Sequence, residues 1–248
     1  MIQSVDRAAR ILDALAASPG RLGVSDLSAR LGLAKGTVHG LLKTLRDHGL
    51  VEQEPESDKY QLGPALLKLS NRFLYLNELR SRSQAWAESL AARTHEAVRV
   101  GMLHDGGILV VHHVFRPDAS LQMLEVGAVL PMHATALGKA VLAHLGEAEE
   151  REVLAGELPK LTGRTLGART LRSELARVRK QLYAVEREEA VLGEASVAAP
   201  IFTRGGAVAG AIGVVGSPER IFDAEGAPRP AASVVDVARA ISRELGAP

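Results

Sequence analysis

The chain contains no cysteine. Disulfides, thiolate metal sites and thiol nucleophiles are therefore excluded, and the composition suits a reducing compartment such as the cytosol. Aromatic residues are scarce, 3% of the 248, and none precedes Tyr60. That argues against stacking of single-stranded bases on the N-terminal part, and leaves duplexes as the nucleic acid to consider. No apolar run approaches the roughly 18 residues of a membrane helix, and no charged-then-apolar leader opens the sequence. The expectation is a cytoplasmic protein with no membrane partner. A charge excess is missing too, since 30 Lys+Arg against 29 Asp+Glu leave a net +1. Any phosphate contact must then depend on local charge. What is present, 46% hydrophobic and 24% charged residues over 248 positions, predicts a globular chain of two domains.

The most informative stretch runs from Val24 to Leu62. Leu27 and Leu31 repeat at i, i+4. Gly32-Leu33-Ala34 interrupts, and a second stripe follows with Val38, Leu41, Leu42 and Leu45. Two short amphipathic helices joined by a glycine-containing turn predict a helix-turn-helix, whose second helix can enter a major groove. Away from the stripe stand Lys35, Thr37, His39 and Lys43, short or basic side chains able to reach base edges and phosphates. Gly49 after His48 stops the helix in the C′ position. Val51–Gln53 and 59–62 then read as a two-stranded wing around Glu54-Pro55-Glu56-Ser57-Asp58. Residues 1–63 carry eight basic and eight acidic side chains, and the wing acids speak against deep insertion into a minor groove. Upstream, Ser4 reads as the N-cap of a first helix with the stripe Ala8, Ile11, Leu12, Leu15, ending at Ser18-Pro19-Gly20.

Gly63-Pro64 opens a long helical pattern to Arg80 with Ala65, Leu66, Leu69, Phe73, Leu76 and Leu79 in its stripe, read as a stiff connector. A further helix is expected over 83–94. From Ala97 the period becomes strand-like: Val98, Val100 and Met102 alternate, Asp105-Gly106-Gly107 turns, and Ile108 to Val114 returns. Strands are also expected over 120–126, 193–202 and 207–215, and helices after Leu130-Pro131-Met132-His133, over 147–154, 170–182 and 230–245. Antiparallel strands flanked by helices predict an α+β C-terminal domain.

Taken together, these residues resemble an IclR-family transcriptional regulator along almost the whole chain. The resemblance rests on Ser4-Val5-Asp6-Arg7-Ala8, Leu31 to His39, Tyr60-Gln61-Leu62-Gly63, Val126-Gly127, Leu130 to Lys139, Glu188-Glu189 and Gly193 to Ile201. It implies an N-terminal winged helix-turn-helix (1–63), a linker helix (64–80) and a GAF-like effector-binding and oligomerisation domain with an antiparallel sheet (81–248). It also implies a homodimer or homotetramer on palindromic double-stranded operator DNA, with a small metabolite changing operator affinity and no cofactor. Its DNA surface would comprise Ser25, Lys35, Gly36, Thr37, Val38, His39, Lys43 and Lys59; its effector pocket would comprise Met123, Leu130, Ala136, Leu137, Glu186, Ser196, Gly213 and Val215. Within the family, Ala34 to Gly40 and Val110 to Asp118 are most similar to repressors of glycerol operons, which implies a glycerol-derived polyol or its phosphate as effector. An organic or aromatic acid, and an activator rather than a repressor, are the alternatives.

The chain departs from the family pattern at Gly36 and Gly40, where Ser and Arg are usual, and at Leu182, where Gly is usual. Gly213 and Val215 replace frequent serines and predict a less polar or roomier pocket. Rival chemistries find little support. His112 and His113, adjacent in a strand, point to opposite faces and cannot share an ion, so no metal site is expected there or at His133. Glu188-Glu189 lacks a nucleophile and reads as solvated or capping. Lys139 follows Gly138 without the rest of a phosphate loop, and reads as a helix-start lysine. GAF-like domains include a sulfoxide reductase, whose chemistry the absence of cysteine removes, so no catalytic activity is expected.

Overall fold

The computed structural model describes residues 2–118 and 122–247. The chain divides into two compact units, 1–76 and 77–248. In the first, α1 (Gln3–Ala16), α2 (Val24–Leu31) and α3 (Lys35–Asp47) precede the hairpin of β1 (Val51–Gln53) and β2 (Tyr60–Leu62), and α4 (Ala65–Leu76) follows. The apolar stripes meet in one core of Ile11, Leu15, Leu22, Leu27, Val38, Leu42, Leu45, Val51 and Tyr60. Ser4 is not the cap of α1: Ile2 holds that position in extended backbone, and Ser4 lies inside the helix. Asp26 caps α2 by accepting the Gly23 amide at 2.9 Å, and Gly32 closes that helix at φ +65°, where a side chain would be strained. The wing gains a third edge the spacing does not reveal, since Leu22 and Tyr60 exchange backbone bonds of 3.1 and 2.8 Å.

The helix expected over 64–80 is two helices. It breaks at Asn77, whose side chain accepts the Arg80 amide at 2.8 Å and so caps α5 (Glu78–Thr94). The second unit continues with β3 (Ala97–His104), β4 (Gly107–Val114), β5 (Val129–Pro131), α6 (Ala136–Leu142), α7 (Glu147–Ala155), α8 (Ala168–Gln181), β6 (Ala184–Arg187), β7 (Ala195–Phe202), β8 (Val208–Gly216), α9 (Pro218–Ile221) and α10 (Ala231–Glu244). The strands form one antiparallel sheet in the order β5-β4-β3-β8-β7-β6. α5 and α10 pack on one face, α6 on the other, with α8 against α6 and α7 against α8.

The strand expected over 120–126 is absent where it is described. Residues 122–125 are irregular, Val126-Gly127 turns, and the edge strand is β5 instead. Residues 119–121 of that expectation lie outside the described ones. The β3–β4 turn has φ +48° at Asp105 and +72° at Gly106, the left-handed pair that a two-residue hairpin requires. Gly138 lets α6 lie against the backbone of Met132 in the loop that leads into it, where a Cβ would come within 2.4 Å.

Candidate functional site

The first candidate surface is built on α3. Its buried side faces the core, which turns Lys35, Gly36, His39 and Lys43 to solvent in a row, with Thr37 half-buried beside them. Ser25 on α2 and Lys59 before β2 are exposed as well. Val38 is fully buried among Ile11, Leu27 and Leu42, so it has no surface to offer and leaves the expected DNA set. A Cβ at Gly36 or Gly40 would meet open space, so packing requires neither glycine. The wing's acids are partly neutralised: Arg21 lies 2.8 Å from Glu54, and the Ser57 hydroxyl donates to the same carboxylate at 2.5 Å. Arg46 is turned aside to Gln53 at 2.7 Å. A convex helix with basic ends and short polar side chains between them fits a groove better than it fits a small molecule.

The second candidate lies on the α6 face of the large sheet. Leu130, Leu137, Ser196, Gly213 and Val215 come together, as expected, along a narrow cleft with Arg99, Thr135 and Glu194. Its interior volume is about 10 Å³, close to the minimum for one water. Ala136, the first residue of α6, is fully buried rather than lining that cleft. Thr135 caps the helix, accepting the Gly138 amide at 3.1 Å.

Glu186 is not on the wall of the cleft either. It is buried behind Ser196, which donates its hydroxyl to the carboxylate at 2.9 Å, and it also accepts the Glu189 amide at 2.8 Å. Burial pushes its pKa from 4.5 to about 7, against the lowering effect of those hydrogen bonds. Met123 is 82% exposed on the irregular 122–125 segment and borders a separate, outer recess of about 400 Å³. The cleft and the recess share Arg99, Glu194 and Val215.

Arg99 is the residue that the sequence reading missed. It lies in β3 between buried Val98 and Val100, and alternation sends it to the opposite face. There two carboxylates hold it: Nη1 lies 2.9 Å from Glu194, Nη2 lies 2.7 Å from Glu125, and Nε also meets Glu125. The available signal was a charged residue at an inward strand position flanked by valines. The Glu125 amide donates to His113 Nδ1 at 3.2 Å, which requires a neutral imidazole. Burial, then the charge of Arg99, hold His113 below the usual imidazole range in agreement with that.

Two further expectations change. Glu189 is neither solvated nor a cap: it is buried and lies 2.6 Å from the fully buried Lys139, while Glu188 takes Arg164 at the surface. Lys139 thus lies inside the domain as half of an ion pair. Among the described residues, no helix is long and apolar enough to cross a membrane.

Comparison with known proteins places both units. The family model described as IclR helix-turn-helix domain matches residues 4–55, and that of the bacterial transcriptional regulator IclR C-terminal matches residues 72–243. The glycerol operon regulatory protein of Streptomyces griseus is 47% identical over 99% of this chain and 97% of its own. Its namesake from Streptomyces coelicolor is 46% identical over the same shares. Among solved structures, an IclR transcriptional regulator from Alicyclobacillus acidocaldarius superposes with a TM-score of 0.87 at 26% identity, over 99% of this chain and 100% of that one.

Proposed function

Because this chain belongs to the IclR family of transcriptional regulators, we propose that it represses a glycerol-catabolic operon and is relieved by a small polyol-derived effector. Regulation of a catabolic operon follows from the family and its relatives; the operon, the sign and the effector are the proposal. The exposed row Lys35, His39 and Lys43 on α3, opposite a core face, is the observation that carries DNA recognition. Two copies, or two pairs, on a palindromic operator in the cytoplasm would place one such helix per half-site. In the C-terminal unit the effector would enter the recess of about 400 Å³ and reach from there the adjoining cleft of Leu130, Leu137, Ser196, Gly213 and Val215, with Glu186 acting through Ser196. A hydroxyl already donating to a carboxylate presents its lone pairs outward, which suits a polyol hydroxyl. A specific observation supports a second reading: Arg99 lines the same cleft, and a guanidinium suits an acid.

An anisotropy titration of promoter DNA from beside the gene, with and without glycerol, glycerol 3-phosphate and a panel of organic acids, tests this. The reading expects sub-micromolar operator binding that a glycerol compound weakens. Operator binding weakened only by an unrelated acid would discard the glycerol operon and keep the regulator.

A further inference from the structure

Arg99 holds more acid than a structural ion pair needs. Its side chain is 12% exposed, and both carboxylates on it are bidentate, so two anions share one cation and the cluster carries an excess negative charge. The two glutamates are not equally held. Glu194 immediately precedes β7, and its backbone exchanges bonds with Val191 and Glu188. Glu125 sits in the irregular stretch between Gln122, which pairs with the Arg116 backbone, and Gly127-Ala128, which bond to Val110 on β4. Between those anchors, among the described residues, the stretch is fastened by the Glu125 carboxylate, by one long amide bond to His113 and by the Glu125 carbonyl, which accepts the Ala128 amide at 2.9 Å in the turn that closes it. Both glutamates line the recess of about 400 Å³, a size that admits a small metabolite, but Glu194 also lines the inner cleft, which leaves Glu125 as the carboxylate on the recess side alone.

Resting on the effector reading above, we propose that a small ligand bearing an oxyanion, a phosphate ester or a carboxylate, takes the place of Glu125 on Arg99. Glu125 then leaves with the 122–126 stretch, so that a carboxylate ligand keeps the charge at Arg99 constant and a phosphate ester adds less than one further negative charge, where binding beside an unmoved Glu125 would add its full charge. The exchange makes the ligand a competitor of an internal carboxylate. It assigns Arg99 the selection of charge, and Ser196, in the adjoining cleft, the recognition of hydroxyls. Glu125 becomes the group whose release reports occupancy.

Calorimetry on the full chain with three three-carbon probes, glycerol, glycerate and glycerol 3-phosphate, separates the terms because they differ at one end only. Glu125→Gln removes the competitor while Glu194 still neutralises Arg99, and should tighten the favoured charged probe by about tenfold while leaving glycerol unchanged. Arg99→Lys keeps the charge but loses the fork, and should weaken the same probe by about tenfold. Hydrogen exchange at 122–126 in the wild type should quicken when that probe is added. Whether glycerate or glycerol 3-phosphate responds identifies the oxyanion. Equal affinity of every charged probe for wild type and Glu125→Gln, or no binding of either charged probe, overturns the proposal. Glycerol that binds and weakens operator affinity regardless of residue 125 would do so while leaving the effector reading intact.

Discussion

Lys43 and His39 are both exposed on α3, yet they are expected to fail differently when removed. Lys43 stands about two turns into the helix, where an ammonium meets a phosphate without reading sequence. Lys43→Ala should weaken operator and random DNA alike and flatten the slope of log affinity against log salt by about one unit. Titrations at several salt concentrations check this, and an unchanged slope would remove Lys43 from the interface. Thr37 and His39 carry groups that bond base edges, so each alanine variant should cost about 1–3 kcal/mol on the operator and little on random DNA. Equal losses on both would reassign these residues to positioning. Glu186 predicts a pH dependence. Its folded pKa of about 7 lies above 4.5, so between those values the folded chain keeps a proton that the unfolded chain has lost. The contribution is therefore full below the lower value and is lost as pH rises through the window, by up to about 3 kcal/mol. Denaturant unfolding of wild type and Glu186→Gln from pH 4 to 8 should show that difference. Parallel curves would mean the carboxyl ionises normally.

At the scale of the element, α3 and α6 are set against opposite constraints. α3 tolerates Gly36 in its first turn and Gly40 in its interior, each with open space where a Cβ would go. Gly40→Ala should stabilise the N-terminal unit by about 0.5–1 kcal/mol, since only helix propensity changes. A melt that shows destabilisation would reveal a contact absent from the free protein's fold. α6 is buried at every position from Ala136 to Leu142, Lys139 included. Removing one partner of the buried Lys139–Glu189 pair strands the other charge, so Lys139→Met should cost about 3–5 kcal/mol. The double variant Lys139→Met with Glu189→Leu should recover most of that loss. No recovery on chemical denaturation would show that the pair's shape, rather than its charge, matters.

At the scale of the molecule, α4 is the element whose apolar residues find no core. Leu67, Leu69, Phe73, Tyr75 and Leu76 are all exposed, and no residue of α4 is buried. Water-exposed leucines and aromatics at that density suit a face that a second copy covers, consistent with the dimer or tetramer proposed above. Sedimentation equilibrium at micromolar concentration should give a multiple of the 26.3 kDa chain. Leu69→Glu with Phe73→Glu should shift the distribution toward the monomer, and a wild-type monomer would remove α4 from any interface.

Local periodicity was enough for the helix-turn-helix, because each of its helices buries one stripe in one core and exposes the rest. The hairpins were equally legible, since Asp105-Gly106 and the Glu54–Asp58 turn advertise their geometry in residue type. The break at Asn77 was not, because an apolar stripe runs through it and only the cap bond to the Arg80 amide separates two helices. Nor was the edge strand: the residues expected to pair over 120–126 are tied down at Glu125 by Arg99, and pairing with β4 falls to 129–131. Burial likewise decided the roles of Val38, Glu186, Lys139 and Glu189. A residue type states what chemistry a position can perform. Whether that chemistry faces water, a ligand or another charge is set by chain segments far away in sequence: Glu189 fifty residues from Lys139, and Glu194 ninety-five from Arg99.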